Sequence, residues 1–163
     1  AHKWVAFAPI LMAACRVLLY WVAAASAVEG ITGLAVWSSL ALGSYVAGLS
    51  LYAIHERSKR GLPFWPLLLL GGPLLLAWVA NSGPYGPRVL LLALLLAVWT
   101  ARAVQRALRP VGANVPAAIS GLLAGIVLVD LLAVAGGGSI GMSLVFIGLF
   151  GVTLVAQRFV PAT

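Results

Sequence analysis

The sequence has few acidic residues and almost none of the side chains that bind transition metals. Its 163 residues include three Asp and Glu against ten Lys and Arg, with one cysteine and two histidines. Cys15 has no partner for an intramolecular disulfide, and His2 and His55 are too far apart for a metal-ligand spacing. We therefore predict no disulfide and no metal site within this chain, and expect Cys15 to be a buried, inert thiol.

Charge of either sign is also scarce, while apolar residues are abundant. Charged residues make up 8% of the chain and apolar residues 63%, in uncharged runs of about 20 residues that match roughly 30 Å of hydrocarbon. This composition predicts an all-α, polytopic integral membrane helical bundle, with residues 1–163 forming a single transmembrane domain. The net charge of +7 would suggest nucleic acid in a soluble protein. Here the basic residues separate apolar spans, where they favour anionic lipid headgroups as partners and exclude nucleic acid.

The apolar runs predict about six transmembrane helices joined by five short connections. The predicted helices cover residues 7–28, 33–54, 64–81, 88–108, 115–135 and 139–157. The connections contain turn-forming or helix-ending residues: Glu29-Gly30 with Thr32-Gly33, the charged run before Pro63, residues 81–87, residues 109–114, and Gly136-Gly137-Gly138. The last helix pair could instead form a re-entrant hairpin, because its glycine turn carries no charge.

Small residues within the helices predict where the helices pack closely. Ser44 to Gly48 and Gly121 to Gly125 place two small residues four apart, which allows the close backbone approach that membrane helices need. Gly71-Gly72-Pro73 removes a backbone donor from the third helix and predicts a kink there. The kink either improves helix packing or is a break in the helix that lines a substrate path.

The distribution of Lys and Arg predicts the orientation in a bacterial-type inner membrane. With both termini cytoplasmic, only Arg88 of the ten Lys and Arg residues lies outside, which satisfies the positive-inside rule. Tryptophan side chains give a second signal, because indoles prefer the two membrane interfaces. This topology places Trp4, Trp65 and Trp99 near the inner interface and Trp37 and Trp78 near the outer one.

Two ionisable residues fall inside predicted spans, where charge is costly and often functional. Arg16 lies about ten residues into the first helix, and Asp130 lies about five residues from the outer end of the fifth. Each has a structural alternative, since Arg16 could snorkel inward and Asp130 could reach water or cap a neighbouring helix. We predict that Arg16 faces the protein interior and hydrogen-bonds a carboxylate, a tyrosine, backbone carbonyls or an anionic headgroup.

Five segments along the chain carry a resemblance to a known family: His2-Lys3, PILMAACR at 9–16, YVAGLSLYA at 45–53, ISGLLAGIVLVD at 119–130 and QRFVPAT at 157–163. In this order they resemble the C-terminal half of a UbiA-type membrane prenyltransferase, particularly its EboC-like branch. The resemblance implies an all-helical fold and transfer of a prenyl chain from its diphosphate to an acceptor within the membrane. It also implies magnesium bound to diphosphate by two Asp-rich motifs.

This chain departs from the family in the motifs that bind magnesium. The first Asp-rich motif belongs to the N-terminal half and has no counterpart here, and Lys3 alone represents a Tyr-x-x-x-Lys element. The second motif would fall at residues 52–60, where Glu56 is the only acidic residue among several basic ones. Magnesium commonly joins one or two carboxylates to substrate phosphates. Glu56 alone is too little, so we expect no catalytic residue and no cofactor in this chain.

The basic run could still bind a diphosphate or lipid headgroup, with Arg57 offering bidentate hydrogen bonds and Lys59 a point charge. Its alternative role is a positive-inside anchor that fixes topology. The candidate residues for binding a substrate or headgroup are Lys3, Arg16, Tyr52, His55, Glu56, Arg57 and Lys59.

Two functions remain open at this point. If the chain is complete at Ala1, we expect a non-catalytic membrane subunit that packs in a larger complex and binds an isoprenoid or phospholipid. If it is a fragment, a missing N-terminal half could supply the Asp-rich motif and magnesium, and the enzyme hypothesis returns. A transporter is a weaker third alternative, because one Asp and one Arg at different depths make a poor ion pathway.

Overall fold

The computed structural model describes residues 7–57, 65–80, 86–108, 115–135 and 140–159. Within these ranges all regular structure is helical and forms seven helices. They are α1 (Ala8–Ser26), α2 (Gly33–Arg57), α3 (Trp65–Leu70), α4 (Gly72–Ala80), α5 (Gly86–Leu108), α6 (Val115–Val134) and α7 (Ile140–Phe159). The predicted all-α class is confirmed.

Five of the described helices are long and apolar enough to cross a membrane: α1, α2, α5, α6 and α7. The chain therefore has the architecture of an integral membrane protein. Both α6 and α7 contain 20 residues, which corresponds to about 30 Å of helix. Each can span the bilayer alone, so this pair does not need the re-entrant alternative.

The third predicted helix, residues 64–81, is broken into α3 and α4. At the break the Gly71 N–H donates to the Leu68 carbonyl at 3.0 Å, and the Leu74 N–H donates to the Gly71 carbonyl at 3.0 Å. These i to i−3 bonds replace the α-helical pattern, because Pro73 has no N–H to donate. The predicted interruption at Gly71-Gly72-Pro73 is confirmed, and the third predicted span consists of two helix segments, α3 and α4, beside the five continuous spans.

The connection between α1 and α2 follows from its turn chemistry. Gly30 adopts a φ of +67°, a left-handed conformation that glycine reaches without a side-chain clash. Thr32 then caps α2, since its hydroxyl accepts a hydrogen bond from the Ala35 N–H at 3.2 Å. The predicted break around Glu29 to Gly33 is confirmed.

Helix α2 is longer than predicted. It continues to Arg57, three residues beyond the predicted end at Ile54. Glu and Arg are good helix formers, and a helix that leaves the hydrocarbon can extend into water without losing its internal hydrogen bonds. The first residues of the charged run thus belong to a helix rather than to a loop.

Contacts divide the chain into two compact units, Ala1–Leu76 and Ala77–Thr163. In the first unit α2 packs against α1 and α3, and in the second α6 packs against α5 and α7. The prediction that residues 1–163 form a single transmembrane domain stays a prediction.

Both predicted small-residue motifs lie at helix contacts. In the first unit, the position of a Cβ on Gly48 is only 2.8 Å from the Pro66 carbonyl oxygen, and that of a Cβ on Gly72 would overlap the Ser44 side chain. In the second unit, a Cβ on Gly121 would approach the Ala103 Cβ to 3.2 Å. Small residues thus allow α2 to approach α3 and α4 closely, and α6 to approach α5.

Candidate functional site

The structure describes the side chains of two of the seven candidate binding residues. Lys3 and Lys59 lie outside the described residues. The last turn of α2 carries three more, for which the backbone is described: His55, Glu56 and Arg57. The remaining candidates are Arg16 on α1 and Tyr52 on α2.

The antiparallel register of α1 and α2 separates Arg16 from Tyr52. The Trp21 indole N–H donates to the Ser39 hydroxyl at 3.0 Å, and Val17 lies against Gly43. In this register Arg16 lies at the level of Ser44, eight residues and about 12 Å along α2 from Tyr52. Glu56 lies one further turn away, so the structure does not bring these groups together.

Arg16 is exposed on α1. The more buried positions of this helix, spaced three or four residues apart, are Pro9, Ala13, Val17, Tyr20 and Ala24. Arg16 lies beside this face, and the described residues give it no hydrogen bond or ion pair. Among the described residues Arg16 is thus exposed and does not face the protein interior as predicted, because α1 packs mainly on α2. Its predicted contact with a lipid headgroup stays a prediction.

Cys15 is exposed on the same helix. The expectation of a buried thiol is wrong for the same reason, since only 6% of the most apolar stretch of α1 is buried. An apolar residue of a membrane helix does not need a protein neighbour, because lipid tails solvate it equally well.

Tyr52 has the opposite environment. It is 1% exposed and its hydroxyl is buried, on the part of α2 that also buries Tyr45 and Leu49. Tyr52 takes part in an interaction within the chain. Its position makes it a packing residue of the first unit rather than an accessible contact for a headgroup.

Asp130 is half-buried on α6 and is engaged in an interaction within the chain. Among the described residues, no three His, Cys, Asp or Glu side chains come close enough to hold a metal ion. The described geometry therefore offers Asp130 no partner ligands for metal chemistry.

A polar seam that sequence reasoning missed joins the three helices of the second unit. The Trp99 indole N–H on α5 donates to the Gly121 carbonyl at 2.7 Å. The Gln157 amide on α7 donates to the neighbouring Ser120 carbonyl at 2.9 Å. Helical carbonyls can accept a second hydrogen bond through their free lone pair, so both flanking helices bind one site on α6.

Trp99 also contacts α7, where its ring meets Phe150 edge to face with 5.0 Å between ring centroids. It lies nine residues before the end of α5, about 13 Å along the helix. Trp99 is therefore a packing residue, a role that sequence reasoning missed, while its position near the inner interface stays a prediction. The sequence did contain a signal for this role: Trp99 carries an indole N–H donor within an apolar span, and the small residues Ser120 and Gly121 lie in the next span.

A pocket of about 410 Å³ lies at the opposite end of the second unit, where α5 begins, α6 ends and α7 begins. Most of its lining is apolar, and two lining residues are polar, Arg88 on α5 and Ser143 on α7. The described residues that line it are Pro87, Arg88, Leu91, Leu92, Ala135, Ile140 and Ser143. Sequence reasoning treated Arg88 only as the single basic residue outside, and did not anticipate a cavity beside it.

Comparison with known proteins gives no match: no family model, no curated protein and no solved structure matches the chain. The resemblance to the UbiA-type prenyltransferases therefore stays a prediction.

Proposed function

We propose that the chain is a non-catalytic integral membrane subunit that packs against other membrane subunits. In this proposal it is related to the C-terminal half of a UbiA-type prenyltransferase. The observation that supports subunit packing most directly concerns α7. This helix is long enough to cross the membrane, yet 0% of its most apolar stretch is buried within the described chain.

The two faces of α7 differ in their contacts within the chain. The face toward α5 and α6 carries Phe150 and Gln157, which make the contacts described above. The other face carries Gly148 and Gly151, and a Cβ on either would meet nothing within 4 Å. Glycines on an open membrane-helix face allow the backbone of another helix to approach, whereas lipid tails gain little from them. This difference favours a protein neighbour.

Cross-linking in native membranes tests this proposal. In a Cys15→Ser background, we expect Gly148→Cys and Gly151→Cys to cross-link to a second polypeptide. We expect Thr153→Cys, a half-buried position on the face toward α6, to form no such cross-link. Mass spectrometry of the cross-linked bands would identify the neighbour.

Two results would contradict the proposal. Equal reaction at all three positions would mean that no specific surface is present on α7. Magnesium-dependent prenyl transfer by the purified chain, lost in a Glu56→Gln variant, would contradict a non-catalytic role and favour the enzyme hypothesis. Such transfer needs the developing diphosphate charge neutralised, and a single carboxylate is a weak ligand set for the metal that does this.

The proposed subunit has both termini on the cytoplasmic side of a bacterial-type inner membrane. The excess of Lys and Arg on that side supports this orientation. In the Cys15→Ser background, Gly86→Cys at the beginning of α5 should react with an impermeant maleimide from outside. Leu108→Cys, an exposed residue at the end of α5, should react only from the cytoplasm. Labelling of position 86 from the cytoplasm would reverse the whole topology.

A further inference from the structure

The pocket at the beginning of α5 combines a cation with an apolar wall. We propose that it binds one anionic phospholipid, with the lipid phosphate at Arg88 and the upper part of an acyl chain beside Leu92. This inference deepens the proposed function and rests on it only in requiring that the chain lies in a bilayer. The pocket lies at the end of the second unit where α5 begins, and the connection between α5 and α6 lies at the other end.

The polar and apolar lining residues of α5 occur in the same order as the polar headgroup and apolar chains of a lipid, with Arg88 nearer the beginning of the helix than Leu92. Arg88 comes two residues after the first residue of α5, about 3 Å along the helix axis. Leu92 comes six residues after it, about 9 Å along the axis. In the proposed topology α5 begins at the outer membrane interface, which would place Arg88 near the headgroups and Leu92 about 6 Å deeper, toward the acyl chains.

The charge of the lining suits a phosphate. Its described residues include one arginine and no acidic residue, and a guanidinium can hold a phosphate through two parallel hydrogen bonds. Arg88 already takes part in an interaction within the chain, but its five N–H donors leave capacity for a ligand. In the proposed topology Arg88 is the single basic residue outside, where the positive-inside rule gives it no role in orientation.

The size and openness of the pocket suit part of a lipid rather than a whole one. Its volume of about 410 Å³ falls within the range of roughly 300–1,000 Å³ that small-molecule sites occupy. Arg88 and Leu91 are both exposed, so the pocket opens to its surroundings and the rest of the lipid can remain in the leaflet. Ser143, half-buried on α7, adds a hydroxyl donor for a phosphate or ester oxygen.

Native mass spectrometry of the full chain tests the proposal. The chain is taken from nanodiscs of equal parts phosphatidylcholine and phosphatidylglycerol. We expect the wild type to retain phosphatidylglycerol preferentially. Arg88→Gln should lower this retention about tenfold, the size expected for losing a charge-assisted hydrogen bond. Arg102→Gln removes an exposed arginine far along the same helix and should leave retention unchanged.

A second variant and a competitor test the apolar part of the site. Leu92→Trp keeps the arginine but fills the cavity, so it should also lower retention in protein whose helical content is unchanged. Excess inorganic phosphate should not displace the lipid, because phosphate lacks the acyl chain. Equal retention of both lipids, the same effect from both arginine variants, or displacement by phosphate would overturn the proposal. Failure of the cross-linking experiment on α7 would leave these results unaffected, so the two proposals fail separately.

Discussion

Replacing Gly48 with alanine is expected to destabilise the first unit by about 1–3 kcal/mol, the usual cost of overpacking. The added Cβ would lie 2.8 Å from the Pro66 carbonyl oxygen and 3.0 Å from the Leu70 backbone nitrogen. Both atoms belong to the backbone of α3, so no side-chain rotation can relieve the contact. Helix α3 would have to move away from α2, and neighbouring contacts would be lost with it.

Thermal unfolding of the purified chain in detergent measures this effect, and α7 offers a matched control. Gly148→Ala makes the same chemical change in a helix where a Cβ meets nothing within 4 Å. It should leave the unfolding temperature unchanged or raise it slightly, because alanine favours helix over glycine. Equal unfolding temperatures for the two variants would show that α2 and α3 do not pack as closely as described.

The helices and their connections could largely be predicted from the sequence, because both depend on local chemistry. Apolar length predicted the spans, and Gly30 and Thr32 predicted a break, where the structure has a left-handed glycine followed by a helix cap. The Ser44 to Gly48 motif indicated close packing, and its contacts with α3 and α4 bear this out. Each of these inferences needs only a few neighbouring residues.

The third span shows what apolar length alone does not reveal. Residues 64–81 form one apolar run, so composition counted them as a full membrane helix. Pro73 prevents a regular helix through the run, which divides into segments of six and nine residues. Gly71-Gly72-Pro73 correctly predicted the interruption, but not the lengths of the two helix segments on either side of it.

The environments of Arg16 and Tyr52 could not be predicted, because depth in a helix does not determine the direction of a side chain. Depth suggested that the polar end of α2 would compensate Arg16. The α1–α2 register, set by pairs such as Trp21 with Ser39, instead places Arg16 about 12 Å from the level of Tyr52. Register depends on contacts between distant parts of the chain, and a single sequence does not contain that information explicitly.

The packing role of Trp99 was missed because tryptophan has two common roles in membrane proteins. The interface preference is a statistical property of the residue type, whereas its packing role here depends on a partner 22 residues away, the Gly121 carbonyl. Gly121 has no side chain to shield that carbonyl from the indole. The sequence predicted Gly121 as a packing residue, but only the structure shows that its carbonyl accepts a hydrogen bond from Trp99.

Replacing Trp99 with alanine is expected to produce the largest loss of stability in the second unit. Removing a core aromatic side chain costs about 3–5 kcal/mol, and the half-buried position of Trp99 favours the lower end, about 3 kcal/mol. The loss combines ring packing against α7 with one hydrogen bond to α6. Trp78→Ala is the matched control, because Trp78 is 75% exposed and surface changes usually stay within about 0.5 kcal/mol.

Two further variants separate the contributions of Trp99. Trp99→Phe keeps an aromatic ring and removes the indole N–H, so it should cost only about 0.5–1.5 kcal/mol. A double-mutant cycle of Trp99→Ala with Phe150→Leu should give a coupling energy of about 0.5–1.5 kcal/mol for the edge-to-face pair. Unfolding free energies in mixed detergent provide all the required values. Additive effects in the cycle would mean that α7 does not depend on Trp99. The seam would then reduce to the indole hydrogen bond between α5 and α6 and the separate Gln157 bond between α7 and α6.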